Sequence, residues 1–459
     1  YIYNRTNPLN DDKVDHSMQL GFEREIRGKK KYDKISYGTD PLELLNSKRF
    51  DIAAKTIYAR NRIKNTDSGF PTELYLEHLR VWNNFNEKFP EKIGEKSFTD
   101  TFDNLLSDIG TNGFDANRGK IPTIQGSAIN GAHRIASSIV TENEVETYEG
   151  DMSEGQYNCN FQYFKNKKNF VDTGLCELYL DEMALEFCRN KKNLYTITIF
   201  PSHNTDVANI LSHINKKNEI IYCKKVTLND CGKTNFVHNL YHNESWIGSR
   251  EAGYPGVMEK ARLCFSKGND IYTTLVEEDN IDNMVKLKEE IRSMCNVGKH
   301  SVHINDTQEE TWRIASSVYN ENSVHHLNSK KITDTPNYSL YIEKYYAIIN
   351  NRSDKHDFCV DSSAVLSSYG LRGCRDLDFL HLKDVAPTSY NVECHNLHTD
   401  HYRQKKDDII YNPKFHFYAH GIKFAAIDVV KKMKMIRDEE KDRNDVALMA
   451  ALQAQPSKE

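Results

Sequence analysis

The period of the apolar positions changes several times along the chain, and each change marks an element. From Asp51 to about Phe89 they recur at helical spacing (Ile52, Ala53, Ile57, Tyr58, then Leu74, Leu76, Leu79, Trp82, Phe85). The turn-like run Asp67-Ser68-Gly69-Phe70-Pro71 interrupts them, so two helices are predicted. A third helix is expected over Phe98–Ile109, after Ser97 and ending near Gly110. The short apolar stretch Ile121-Pro122-Thr123-Ile124 then predicts a strand leading into Asn130-Gly131-Ala132-His133-Arg134. Between about 170 and 330, strand-like runs (Tyr195–Phe200, Ile220–Val226, Ile271–Val276) alternate with amphipathic helical patterns (Val207–Ile214, Ile281–Met294, Glu309–Tyr319). That alternation is the signature of α/β layering.

The ends of the chain look different. Residues 1–50 hold few periodic apolar positions and a basic cluster at Arg24, Arg27, Lys29, Lys30 and Lys31, which predicts an arm. The last stretch opens after Thr333-Asp334-Thr335-Pro336-Asn337 and finishes in a charged helix from Ile427. The fold class expected is therefore mixed α/β with several domains: an arm at 1–50, a first domain at 51–165, a central α/β domain at 166–332 and a C-terminal domain at 333–459. A chain of 459 residues is too long for a single core and accommodates that division.

Composition narrows the functional classes. Sixty-one basic and 66 acidic residues leave a formal charge of −5, with no one-signed field to hold a phosphate backbone, so nucleic acid is not expected as a partner. No apolar run reaches the ~18–20 residues a membrane span requires, and the N-terminal residues show no signal-peptide pattern. Ten cysteines are scattered without a C-x-x-C pair, as expected for reduced thiols in a cytoplasmic protein.

Three clusters carry candidate chemistry. In the first, Gly131 lets the backbone turn tightly between strand and helix, while His133 and Arg134 bring a titratable group and a permanent cation to the same place. The alternative is an ordinary strand-to-helix turn. The run Lys120–Ile124 followed by Ile129-Asn130-Gly131-Ala132-His133-Arg134-Ile135 resembles the ParB/sulfiredoxin-like fold, whose hallmark is Asp-Gly-x-His-Arg after a short strand. The resemblance implies phosphate contacts from Asn130, Gly131, His133 and Arg134, with His133 catalytic; Asn130 stands where the hallmark has an acid.

In the second cluster, Asp376 and Asp378 sit at i and i+2, so on a strand both carboxylates face one way and can share a divalent metal. The competing reading makes them loop acids beside Arg372 and Arg375. Val360-Asp361-Ser362-Ser363-Ala364, Tyr369-Gly370-Leu371-Arg372 and Asp376-Leu377-Asp378-Phe379-Leu380 together resemble the core of the DNA polymerase beta-type nucleotidyltransferase superfamily. There a Gly-Ser turn precedes a helix and then Asp-x-Asp. The resemblance spans about 355–450 and implies phosphate contacts from Ser362 and Ser363. It also implies Mg2+ or Mn2+ on Asp376 and Asp378, with Asp378 catalytic. Asp361-Ser362 replaces the usual glycine, and Glu393 and Asp400 are the candidates for a third carboxylate.

The third cluster is His300-Ser301-Val302-His303-Ile304-Asn305-Asp306, expected as a strand with His303 or His300 available as a base; Thr307 and Glu310 fit a capping box. Trp246, Lys260 and Arg292 are candidates for a substrate wall, Trp246 by stacking. The combination of segments resembles bacterial capsular polysaccharide sugar or phosphoramidate transferases. That resemblance implies transfer of a phosphoryl-type group from a nucleotide-activated donor (CDP-linked, or ATP itself) to a hydroxyl of a sugar or polysaccharide acceptor, with peripheral association to capsule machinery. An ATP-dependent kinase or amide-forming ligase, and a non-catalytic nucleotide-binding scaffold, are the alternatives.

Overall fold

A computed structural model describes residues 34–88, 91–150, 158–330, 335, 337–385 and 390–453. The basic cluster at 24–31 and most of the 333–337 loop lie outside them. The chain is mixed α/β and divides into two compact units, 1–66 with 70–191, and 67–69 with 192–459.

In the first unit, β1 (Lys34–Thr39) is followed by helices α1 (Asp51–Lys64) and α2 (Phe70–Asn83). The hairpin β2 (Asn86–Lys88) and β3 (Glu91–Ile93) leads to α3 (Glu95–Asn112). Strands β4 (Ile121–Ile124) and β5 (Ser127–Ala128), helix α4 (Ala132–Thr141) and β6 (Val145–Glu149) come next, then α5 (Phe161–Lys165) and α6 (Glu177–Asn190). The sheet runs β1-β6-β4-β5, with β4 parallel to β6 through α4. Residues 34–50, expected within the arm, are well ordered into structure: β1 pairs with β6, and Leu44, Leu45 and Phe50 are buried. Residues 166–191 belong to this unit because α6 packs on α1, with Phe187 stacked on Phe50 at 5.6 Å.

Charge is also buried here. Arg49 makes a fork to Asp51 at 2.9 and 2.9 Å, and Lys55 donates to the same carboxylate at 2.8 Å. Burial would raise the Asp51 pKa, but the two cations outweigh it and hold the carboxyl well below the usual range.

The second unit opens with β7 (Leu194–Ile199), α7 (Val207–Lys217), β8 (Ile220–Thr227), α8 (Asp230–Tyr241) and α9 (Pro255–Cys264). It continues through β9 (Asp270–Glu277), α10 (Ile281–Cys295), β10 (Val302–Ile304), α11 (Gln308–Val318) and α12 (Glu321–Ser329). The strands form an antiparallel sheet in the order β10-β7-β9-β8. Ile197 and Ile199 of the sheet meet Ile210 and Ile214 of α7 and Leu287 and Ile291 of α10 in one core. These helices therefore have the amphipathic period seen in the sequence.

The same unit then adds α13 (Tyr338–Ile349), β11 (Phe358–Asp361), α14 (Ser363–Ser368), β12 (Leu377–His381), β13 (Val392–Cys394) and α15 (Lys406–Tyr411). It ends with β14 (His416–Ala419), β15 (Ile422–Ala425), α16 (Ile427–Arg437) and α17 (Glu440–Gln453). The second sheet is mixed, in the order β13-β12-β11-β15-β14. Helices α11 and α12 join the two sheets: Trp312 Nε1 donates to Gly421 O at 2.8 Å, and Tyr418 N donates to Ser323 Oγ at 2.8 Å. Among the described residues no helix is long and apolar enough to cross a membrane.

Candidate functional site

The C-terminal sheet gathers a group of acids at one end. Asp361 closes β11 and lies in register with Asp378 on the antiparallel β12; Asp378 is in turn in register with Glu393 on the parallel β13. Registered residues on adjacent strands share a face, so a row of three carboxyl residues crosses the sheet. Asp376, expected on one strand with Asp378, lies just before β12 begins at Leu377; it is exposed and accepts from Ser363 Oγ at 3.3 Å. Asp361 and Asp378 are buried.

His395 stands among them, with Nε2 3.6 Å from Asp378 Oδ1 and Nδ1 4.0 Å from Asp361 Oδ2. Tyr402 donates its hydroxyl to Asp361 Oδ1. Burial pushes the Asp378 carboxyl up to about 6; His395 opposes the rise, and Asp376 and Asp361 add to it. Burial alone would depress His395, yet its three acidic neighbours hold its pKa above the ordinary histidine value. Asp361 Oδ2 is buried without a hydrogen bond. The row therefore concentrates negative charge that the protein compensates only in part.

The turn between β11 and α14 is strained. Ser362 has φ 58° and ψ −128°, the geometry of the first central residue of a type II′ turn, a position that glycine dominates. The chain thus keeps a glycine-type backbone at the position where the resemblance calls for glycine, with a serine side chain in its place. Arg372 does not pair with the Asp376/Asp378 acids. It makes a fork to Asp445 of α17, with Nε–Oδ1 2.5 Å and Nη2–Oδ2 2.7 Å. Lys434 also reaches Asp445, and it meets Asp442 alongside Arg437. The acids of the terminal helix are thus structural ion-pair partners of α16.

Among the described residues, no group of three or more His, Cys, Asp or Glu side chains is arranged to hold a metal ion alone. Magnesium, however, is commonly held by one or two carboxylates, with water and substrate phosphates completing its shell. Asp376 and Asp378 fit that donor set, and Asp361 Oδ2, buried without a hydrogen bond, faces the same end of the sheet. His395 and Tyr402 escaped the sequence reading. The only signal for His395 was its place just past a short alternating strand, and the partnership of Tyr402 with Asp361 spans 41 residues.

The other sequence candidates fall elsewhere. In the first unit, Gly131 has φ 84° and caps α4, and a Cβ there would sit 2.5 Å from Ile121 Cδ1. Asn130, His133 and Arg134 are buried. His133 Nε2 lies 2.9 Å from Tyr75 OH, and its ring stands edge-on to Phe102 at 4.4 Å. Arg134 turns back to donate to Gly119 O at 2.7 Å. Internal contacts therefore account for the segment's geometry as a strand-to-helix turn.

In the second unit, Trp246, Lys260, Arg292, His300 and His303 line one cavity of about 990 Å3. None of the residues lining it comes from the C-terminal sheet, so His303 is not placed beside Asp378. His300, expected within the strand, lies instead in a 3-10 turn that precedes β10. Thr307 caps α11 by accepting from Glu310 N at 3.2 Å, and the Glu310 carboxylate reaches back to Asp306 N at 2.9 Å. No family model matches the chain, and neither a curated protein nor a solved structure matches it.

Proposed function

We propose that the chain is a metal-dependent transferase that moves a phosphoryl-type group from a nucleotide-activated donor to a sugar hydroxyl, with the carboxylate row of the C-terminal sheet as its reacting site. The observation that carries this reading is the registered pairing of Asp361 with Asp378 beside the strained turn at Ser362. Paired acids of partly uncompensated charge beside a turn bearing two hydroxyls match the needs of phosphate handling, where catalysis is mostly positioning and charge neutralisation.

A divalent Mg2+ or Mn2+ held by Asp376 and Asp378 would supply the charge that neutralises phosphate oxygens. The chain's own residues act around it: Ser362 and Ser363 orient the phosphates by their hydroxyls, Tyr402 fixes the Asp361 carboxylate, and His395 balances the acids. The CDP-linked or ATP donor and the capsular sugar acceptor rest on the resemblance of the sequence segments.

One observation favours a non-catalytic scaffold instead: the His395 ring already occupies the space between Asp361 and Asp378. Incubation with labelled CTP or ATP, Mn2+ and a mixture of sugars, followed by product separation, decides between the two. Turnover that disappears in Asp378→Asn supports the transferase; nucleotide binding without product formation supports the scaffold.

A further inference from the structure

The 990 Å3 cavity beside α9, α10 and α11 holds several nitrogens whose hydrogen-bonding capacity the protein leaves unused. Arg292 Nε, Arg313 Nε, His300 Nδ1 and His303 Nε2 are all buried without a hydrogen-bond partner. All four residues line this one cavity. A guanidinium N–H can only donate, so Arg292 and Arg313 present donors that call for an acceptor from outside the chain.

The wall carries five basic (Lys and Arg) and five acidic side chains, and its ion pairs among the described residues leave Lys260 as a cation without a carboxylate. Most acids in the lining are taken: Glu289 by Arg292 at 2.5 Å, Asp306 by Lys288 at 3.3 Å, Glu310 by Arg313 at 3.6 Å and Glu259 by Arg262 at 2.7 Å. Lys260 has no carboxylate within ion-pair distance among the described residues; its Nζ donates to Lys299 O at 2.6 Å. Burial pushes the Lys260 pKa down, with Arg292 and Lys299 adding to the fall and Cys264 opposing it.

The rim differs in character. Trp246 is 44% exposed, set edge-on to Tyr241 at 5.0 Å, and Asn243 and Glu244 stand near it in sequence as further lining residues. An aromatic face beside a carboxylate and an amide suits a hydroxyl-rich ring, whose C–H face stacks while its hydroxyls donate.

We infer that this cavity binds a sugar phosphate, its phosphate ester held by Lys260, Arg292, Arg313 and His300 and its ring stacked on Trp246. The inference deepens the proposed transfer, and it rests on that reading only in making the ligand an acceptor. Binding itself needs neither the metal nor the carboxylate row.

Isothermal titration of the full chain with a panel of hexose monophosphates, free hexoses and inorganic phosphate tests it. At least one hexose monophosphate is expected to bind more tightly than its free hexose and than phosphate. Lys260→Ala and Trp246→Ala, both at partly exposed positions, should each weaken it about tenfold or more while leaving thermal stability unchanged. EDTA and Asp378→Asn should leave the affinity as it was. No binding by any monophosphate, equal binding by the free hexose, or unchanged affinity in both cavity variants would overturn the inference, as would a requirement for the metal. If sugar-phosphate binding persists while nucleotide turnover fails, the cavity stands and the transferase reading alone falls.

Discussion

Asp361 and Asp378 lie opposite each other in register on neighbouring antiparallel strands, both buried, with His395 3.6 Å from one and 4.0 Å from the other. Two desolvated acids facing each other across paired strands repel, and burial raises the Asp378 pKa to about 6. Replacing Asp378 by its amide removes the cost of burying its charge, which outweighs the lost attraction to His395, while keeping the shape. Asp378→Asn should therefore raise stability in metal-free buffer by about 1–3 kcal/mol while losing transferase activity, since functional sites trade stability for chemistry. Denaturant titration of the two proteins in EDTA checks the first part.

Ser362 holds a backbone conformation suited to glycine. Ser362→Gly should relieve roughly 1 kcal/mol of strain or more and raise the unfolding midpoint. Its lost hydroxyl should weaken nucleotide binding. A variant that gains stability and keeps full affinity would show that the hydroxyl does not touch the phosphates.

Gly131 is the reverse case, a glycine that the fold requires. Gly131→Ala would place a methyl group 2.5 Å from Ile121 Cδ1 at φ 84°. It should cost about 1–3 kcal/mol of stability in the first unit, read as a lower thermal midpoint. It should leave metal-dependent nucleotide binding at the C-terminal acids intact.

Several histidines of the second unit are partly buried, in surroundings that favour the neutral ring. Burial pushes His303 down to about 3 and His238 and His242 to about 4, with nearby cations adding to each shift. A histidine whose folded pKa is depressed takes up its proton more readily in the unfolded chain. Its contribution to stability is therefore complete above about pH 6.5 and declines as pH falls toward 4. The slope approaches at most about 1.4 kcal/mol per pH unit for each such ring. Urea midpoints measured from pH 7.5 to 5 should fall steadily, and His303→Gln should flatten that decline.

Much of the secondary structure was legible because burial imposes a period on the sequence. Helices α1 and α2 are separated at Asp67-Ser68-Gly69, with Phe70 and Pro71 of the expected turn opening α2 instead, and β7, β8 and β9 match their apolar runs to within a residue or two. The membership of residues 34–50 and α6 in the first unit was not legible. They are placed by long-range contacts such as Phe50 with Phe187 and β1 with β6, which leave no local pattern. At the candidate site, Asp376 and Asp378 announce themselves by spacing alone. His395 and Tyr402 reach the same acids from a separate strand and loop, which only strand order reveals. The cavity residues Trp246, Lys260, Arg292 and His303 were each plausible singly; their convergence depends on how α8, α9, α10 and α11 meet.

The most direct test of the central claim is thermal unfolding of the wild type and of the Asp376→Asn/Asp378→Asn double variant with CTP or ATP, each with and without Mn2+. Ligand that binds only the native state stabilises it by about 2.7 kcal/mol at a hundredfold excess over Kd. The wild type should show a nucleotide-induced rise in midpoint that requires Mn2+, and the double variant should show none. Equal shifts in the two proteins, or no shift of the wild type with either nucleotide, would contradict the assignment of these acids to a metal-bound nucleotide.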